Sequence, residues 1–328
     1  MRDTSLDKAK GLLIFLVVFG HILERFIGWN DLSGILLTFI YSFHMPAFIL
    51  ISGLFFKNHK LFEKTLFFIV LAVSFQLLYL GFNLIFIDHQ NWLGWVIKPY
   101  WILWYLWGMV AWSLLTSLLI KSRYPLLIAI LASLGIGLSP FNNYLFSIGR
   151  IFVFLPFFVI GAIYGKSFLN TFQKSSYWLW ITSASLMILI IALAFLQPNH
   201  YWLYGSLSYQ QLQMNPLNGI VTRLMLFFLA ICGIISLLAC ASKLPEFFRA
   251  LGEQTLAIYL LHGFFIIAFS HFAFIATTHP VLNIMCCLVI SSMLCIILKA
   301  RFLSRIIQKN AMNLTQLLLK PIHYFYKR

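Results

Sequence analysis

Three histidines, His21, His44 and His262, lie inside long apolar stretches of the chain, where an imidazole is costly to bury and is usually functional. A neutral imidazole in such a place can take a proton from a hydroxyl or attack a carbonyl, so general-base or nucleophilic chemistry is the first possibility to weigh. The clearest set of polar groups surrounds His21. At 100° per residue, Asp7, Lys10, His21, Glu24 and Arg25 fall within about 100° of arc and form one polar stripe along a helix. Lys10 and His21 are three turns apart, about 16 Å, so a cation stands at one end of the stripe and an imidazole with a carboxylate at the other. Plainer accounts stand beside this one. Asp7 and Lys10 can serve as a helix cap and a topology anchor, and a single membrane histidine can be a satisfied packing residue.

In the second apolar stretch Pro46 leaves the Ser42 carbonyl without its helical donor, which predicts a kink beside His44. His44 then either satisfies the freed carbonyl or faces the opened space as a functional group. Ser52 and Gly53 permit close helix contact. Arg150 and Arg223 enter their helices near the ends opposite Lys10, where they either snorkel to the interface or stabilise an anion. Thr255, Tyr259 and His262 share a helix face by their spacing. The five cysteines, Cys232, Cys240, Cys286, Cys287 and Cys295, lack metal-ligand spacing and read as small apolar fillers, so no metal is expected.

These groups need a membrane to hold them. The chain is 62% hydrophobic and 9% charged, against about 25% charged in a soluble domain. Apolar runs recur over 11–27, 35–56, 62–87, 100–120, 126–138, 148–165, 177–196, 219–241, 256–276 and 281–298. This predicts an all-α integral membrane protein, a single bundle of about ten transmembrane helices with both termini cytoplasmic. Residues 1–299 form the membrane domain and 300–328 a basic cytoplasmic tail suited to anionic lipid. The first span is not followed by a small-residue cleavage site and is expected to stay in the mature chain. The net charge of +15 is a topology signal rather than a nucleic-acid footprint: of 23 lysines and arginines, all but Arg25, Lys98, Arg150 and Arg223 fall on the cytoplasmic side of this arrangement. There is no internal repeat and no separate soluble domain. Two outward segments, 88–100 and 197–218, are rich in aromatics and amides. They serve either as an interfacial aromatic belt or as a surface for an uncharged sugar, whose C–H faces and hydroxyls suit Tyr201, Trp202, Tyr204 and Tyr209.

The motifs together resemble the integral membrane acyltransferases of type 3, in particular the fucose 4-O-acetylase-like sugar O-acetyltransferases, over most of the chain. The resemblance rests on Asp7, Lys10 and Gly11 followed by Phe19, Gly20 and His21, with Lys10 where many members carry arginine. It continues in Phe43, His44, Met45 and Pro46 with Ser52 and Gly53, in Leu103 to Leu106, and in Arg150 followed by Phe154 to Phe158. Leu251 and Gly252 through Tyr259 to His262 complete it. It implies acetyl transfer from cytoplasmic acetyl-CoA to a hydroxyl of a surface glycan or its lipid-linked precursor, in a bacterial cytoplasmic membrane. Some members carry a fused extracytoplasmic esterase-like domain, so this chain is expected to act alone or with a separate partner.

On that reading His21 is the central base, His44, His262 and Glu24 complete the catalytic set, and Arg150 and Arg223 stabilise negative charge. Lys10, with Asp7 and Arg223, is assigned to the acyl donor. Two other readings fit the same polar stripe: a transporter or flippase for a lipid-linked sugar, and a membrane sensor or scaffold.

Overall fold

The computed structural model describes residues 3–86, 98–141, 143–173, 175–271 and 279–325, and among these every regular element is helical. Most of the aromatic segment 88–100 lies outside the described residues. The helices are α1 (Thr4–Phe26), α2 (Asp31–Gly53), α3 (Leu61–Phe86), α4 (Trp104–Leu119), α5 (Pro125–Gly135), α6 (Ile148–Gln173) and α7 (Trp178–Leu196). After these come α8 (His200–Tyr204), α9 (Pro216–Cys240), α10 (Glu246–Gly252), α11 (Thr255–His271), α12 (Pro280–Leu298) and α13 (Arg301–Phe325). Their starts follow local chemistry. The Asp3 carboxylate caps α1 through the Leu6 amide at 3.1 Å, and Pro125, Pro216 and Pro280 open α5, α9 and α12. Gly28, at φ 84°, makes the left-handed turn that sends α2 back along α1.

Among the described residues six helices can cross a membrane by length and apolar composition, and a seventh span arises if α10 and α11, bent by 83°, count as one. The expected ten is larger for identifiable reasons. Helix α1 has the length but carries Asp7, Lys8, Lys10, Glu24 and Arg25, four of them on its polar stripe. Helix α4 has 16 residues, and α5 has 11, about 16 Å of rise against a hydrocarbon core of about 30 Å. The tail expected after residue 299 is largely α13, whose buried Ser304, Ala311 and Thr315 form one edge packed on α3 and α11.

Helix α1 is central, packing against α2, α10, α11 and α12. Short α10 crosses its first half at backbone distance. A Cβ on Gly11 would run into the Phe248 carbonyl, one on Gly252 into the Asp7 carbonyl, and Lys8 clamps Glu246 at 2.6 Å. The bend that follows delivers α11, with Tyr259 and His262, to the middle of α1. Helices α2 and α6 meet in the same way, with Gly53 facing the Phe158 carbonyl and Gly161 the Leu50 carbonyl, so the close contact expected at Gly53 is present. Alanine at Gly161 has no room, whereas a Cβ at Gly81 of α3 meets nothing within 4 Å. Gly161→Ala is therefore expected to cost about 1–3 kcal/mol, and Gly81→Ala to be neutral or stabilising. Thermal unfolding in detergent checks the contrast: equal Tm values for the two variants would refute the backbone contact.

Candidate active site

His21 sits in the last third of the bundle's central helix, partly buried, where α1, α2 and α11 meet. Its Nδ1 lies 3.2 Å from the Tyr41 hydroxyl, which donates its proton to Glu24 Oε2 at 2.5 Å. A carboxylate only accepts, so Tyr41 spends its one proton there and its oxygen accepts from Nδ1–H of His21. This fixes the tautomer: Nε2 carries the lone pair. Glu24 itself lies 3.9 Å from Nδ1 and is held by two further donors, the Tyr204 hydroxyl and Trp29 Nε1 at 3.2 Å. Trp29 Nε1 also reaches the Tyr204 oxygen at 3.0 Å. Tyr204 belongs to α8, between the spans. Burial first, and then the Glu24 carboxylate, push its phenol up, so it stays a donor.

The other two histidines are oriented alike. Nδ1 of His44 donates to the Ile40 carbonyl at 2.7 Å, and Nδ1 of His262 to the Ile258 carbonyl at 3.0 Å, each one turn back on its own helix. Both rings thereby keep Nε2 as acceptor. The carbonyl that His44 satisfies is that of Ile40 rather than the Ser42 carbonyl freed by Pro46, and α2 runs unbroken through the proline. His262 is fully buried, its Nε2 has no partner, and its ring lies almost parallel to that of His21, with centroids 5.6 Å apart.

Arg150 comes from the start of α6. Its Nε donates to Ser206 Oγ at 2.7 Å and its guanidinium lies 5.1 Å from the Trp104 ring centre, so the head group is braced on two sides. Arg150, His21, Glu24 and His44 line one cavity of about 230 Å³ together with Tyr41 and Tyr204. A second cavity of about 410 Å³ also reaches His21 and Glu24. The structure thus gathers His21, Glu24, His44 and Arg150 around one space and stacks His262 on His21.

Toward the Lys10 end the space narrows. A throat of about 20 Å³ runs below His21 past Val17, Phe48 and Tyr105, and the Tyr105 hydroxyl meets Ser52 Oγ at 2.6 Å. Beyond Ser52 lies a cavity of about 190 Å³ that includes Lys57 and Lys64. Lys10 stands nearby, paired with buried Asp7 at 2.7 Å and 5.7 Å from the Phe55 ring centre. Arg223 is elsewhere: buried, donating to the Ser133 carbonyl at 3.0 Å, and set over the Trp202 and Tyr209 rings beside a cavity of about 30 Å³. Of the aromatics expected to meet a sugar, Trp202 and Tyr209 stack on each other as core, while Tyr204 reaches the site. Among the described residues no group of three or more His, Cys, Asp or Glu could hold a metal ion.

Sequence reasoning missed Tyr41, Trp29 and Trp101 and did not place Tyr204 with Glu24. One signal was present: Tyr41 precedes His44 by three residues, and so shares its helix face. Removing the Tyr41 hydroxyl loosens the tautomer of His21 but leaves Glu24 within 3.9 Å. Tyr41→Phe is therefore expected to lower kcat about tenfold with KM for the donor unchanged, as measured by initial-rate kinetics. Unchanged kcat would remove Tyr41 from the site.

A helical membrane protein that sets an oriented imidazole, its carboxylate partner and a braced arginine around one cavity is equipped for acid–base group transfer within the bilayer. Residues 3–301 match the acyltransferase domain family of type 3, and the chain belongs to that family. Membership, in a chain with several helices able to cross a membrane, favours the enzyme over the transporter and scaffold readings. A segment of 55 residues is 47% identical to nodulation protein NolL of Sinorhizobium fredii and, equally, of Mesorhizobium japonicum. The matched segment is 16% of this chain and 15% of each relative's length. No solved structure matches the chain.

Proposed function

We propose that the protein is an O-acetyltransferase of a bacterial cytoplasmic membrane. It moves acetyl from cytoplasmic acetyl-CoA to a hydroxyl of a surface glycan or its lipid-linked precursor. The observation that carries the proposal is the Glu24–Tyr41–His21 array, which leaves an Nε2 lone pair beside an Arg150-lined cavity. His21 Nε2 takes the acceptor hydroxyl proton as the oxygen bonds to the thioester carbonyl carbon. Arg150 meets the charge that develops on the carbonyl oxygen. Collapse breaks the C–S bond, and the departing thiolate takes the proton back from Nε2.

His44 and His262 position the reacting groups. Donor phosphates are held at the Lys10 end, where Lys57 and Lys64 add positive charge; both termini and the basic tail from residue 300 lie on that cytoplasmic side. Arg223, tied to Ser133 and two aromatic rings, supports the α8 segment in this scheme and leaves the donor to Lys10.

The test uses purified protein in lipid with labelled acetyl-CoA and an extract of lipid-linked glycans. Label on glycan and release of free CoA are expected. Protein that instead translocates the glycan across vesicles without consuming acetyl-CoA would replace this function by the transporter.

A further inference from the structure

Three residues line both large cavities: His21, Glu24 and Trp101. Of the three, Trp101 alone presents a broad apolar face to both spaces. It stands edge-on to the His21 ring with centroids 4.5 Å apart, in the turn that precedes α4. That turn is fixed by the Leu103 amide to the Tyr100 carbonyl at 2.7 Å and by the Tyr100 amide to Gln76 Oε1 at 2.8 Å. Trp101 is thus held in place before any ligand arrives.

The two spaces differ in lining but share a character. One offers Arg150, Tyr144 and Tyr204; the other offers Arg25, Tyr100 and Ser270 beside Ile266 and Ile267. Each combines hydroxyl-bonding groups with apolar or aromatic surface, the mixture that a sugar ring with polar rim and C–H faces requires. At about 230 and 410 Å³ the pair falls within the range of roughly 300–1,000 Å³ usual for ligand sites, whereas a single ring bound at His21 leaves one of the two unused.

We propose that the two cavities are adjoining sugar subsites divided by Trp101, and that the acceptor is an oligosaccharide of at least two units. The unit being acylated lies on the Arg150 side, where the carbonyl oxygen meets its cation, and its neighbour lies on the Arg25 side. Trp101 is the platform against which both pack, which makes it a specificity residue rather than a catalytic one. The inference rests on the glycan-acetylation reading, and binding separates the two.

The experiment uses the neutral sugars released from the glycan extract and fractionated by size into mono-, di- and trisaccharides. Binding to the full chain in lipid nanodiscs is followed by thermal stabilisation, and acetyl transfer by label. The di- and trisaccharide fractions are expected to bind and react at least about tenfold better than the monosaccharides. Trp101→Ala should collapse that ratio toward one while KM for acetyl-CoA stays unchanged, and Trp101→Phe should restore most of it. Monosaccharides binding as tightly as the longer fractions would overturn the two subsites, as would an undiminished ratio in Trp101→Ala. Size-selective binding without any acetyl transfer would uphold the subsites and sink the acetylation chemistry.

Discussion

Asparagine in place of His21 is expected to lower acetyl transfer about 100-fold or more, with folding and insertion intact. The substitution keeps an amide N–H that can reach the Tyr41 oxygen, so the Glu24, Tyr41 and Tyr204 contacts persist. What disappears is the Nε2 lone pair, the one group in the array free to take a proton from a ligand. Loss of a positioned general base costs typically 10²–10⁴-fold in rate, about 3–5 kcal/mol of barrier. Because the base acts mainly in the transition state, the loss should fall on kcat, with KM for both substrates little changed. His262, fully buried and stacked on His21, offers a built-in comparison. His262→Asn removes a packing partner and a neighbouring lone pair but not the Tyr41-oriented base, so a smaller loss is expected there. Initial rates of labelled acetyl transfer, with Tm in detergent as the folding control, check both. Wild-type-like turnover in His21→Asn would remove this imidazole from the mechanism.

The α1 stripe was legible because periodicity alone places Asp7, Lys10, His21 and Glu24 on one side of a helix, and the structure keeps them there. His44 and Arg150 were legible as polar groups in apolar spans, where burial is costly enough to imply purpose. Their meeting around one cavity was not, since nothing in a linear pattern tells which helix faces which. The partners of Glu24 show the same limit. Tyr204 lies 180 residues away and Tyr41 on the next helix, and nothing in the sequence joins either to Glu24 until α8 folds over the end of α1. Arg223 shows a different limit: a membrane arginine invites an anion, and no linear pattern reveals that the Ser133 carbonyl and two aromatic rings stand against it.

The architecture divides along similar lines. Long apolar helices such as α2, α6 and α9 follow their hydropathy, whereas α10 is a seven-residue helix with two charges and no hydropathy signal of its own. Its place is set by Gly11 and Gly252, which allow backbone-to-backbone contact, and that contact in turn sets the register of His262 against His21. A pair of glycines in two distant segments carries no visible sign of belonging together. The span count drifted for a related reason. Helix α1, which carries the polar stripe, has the length of a span but too many charges to read as an apolar one.

Arg150→Met should be the other severe variant, lowering kcat about 100- to 1,000-fold. Methionine preserves much of the aliphatic bulk against Trp104 but removes the charge and the fork of donors, so packing and electrostatics are separated in one substitution. Ser206 accepts from Nε, which leaves the terminal nitrogens of the guanidinium for the cavity that His21 shares. A donor aimed where charge develops in a water-poor site supplies about 2.7–4 kcal/mol, and that is the loss expected here. Lysine at this position should recover part of the rate, since the charge returns without the bidentate geometry. Ser206→Ala, which frees the guanidinium without deleting it, should cost less than either. Rates at saturating donor and acceptor decide the order. If Arg150→Met kept turnover within about threefold of the unmodified protein while Ser206→Ala lost as much, the arginine would be a strut for the α8 segment and the carbonyl oxygen would need another partner.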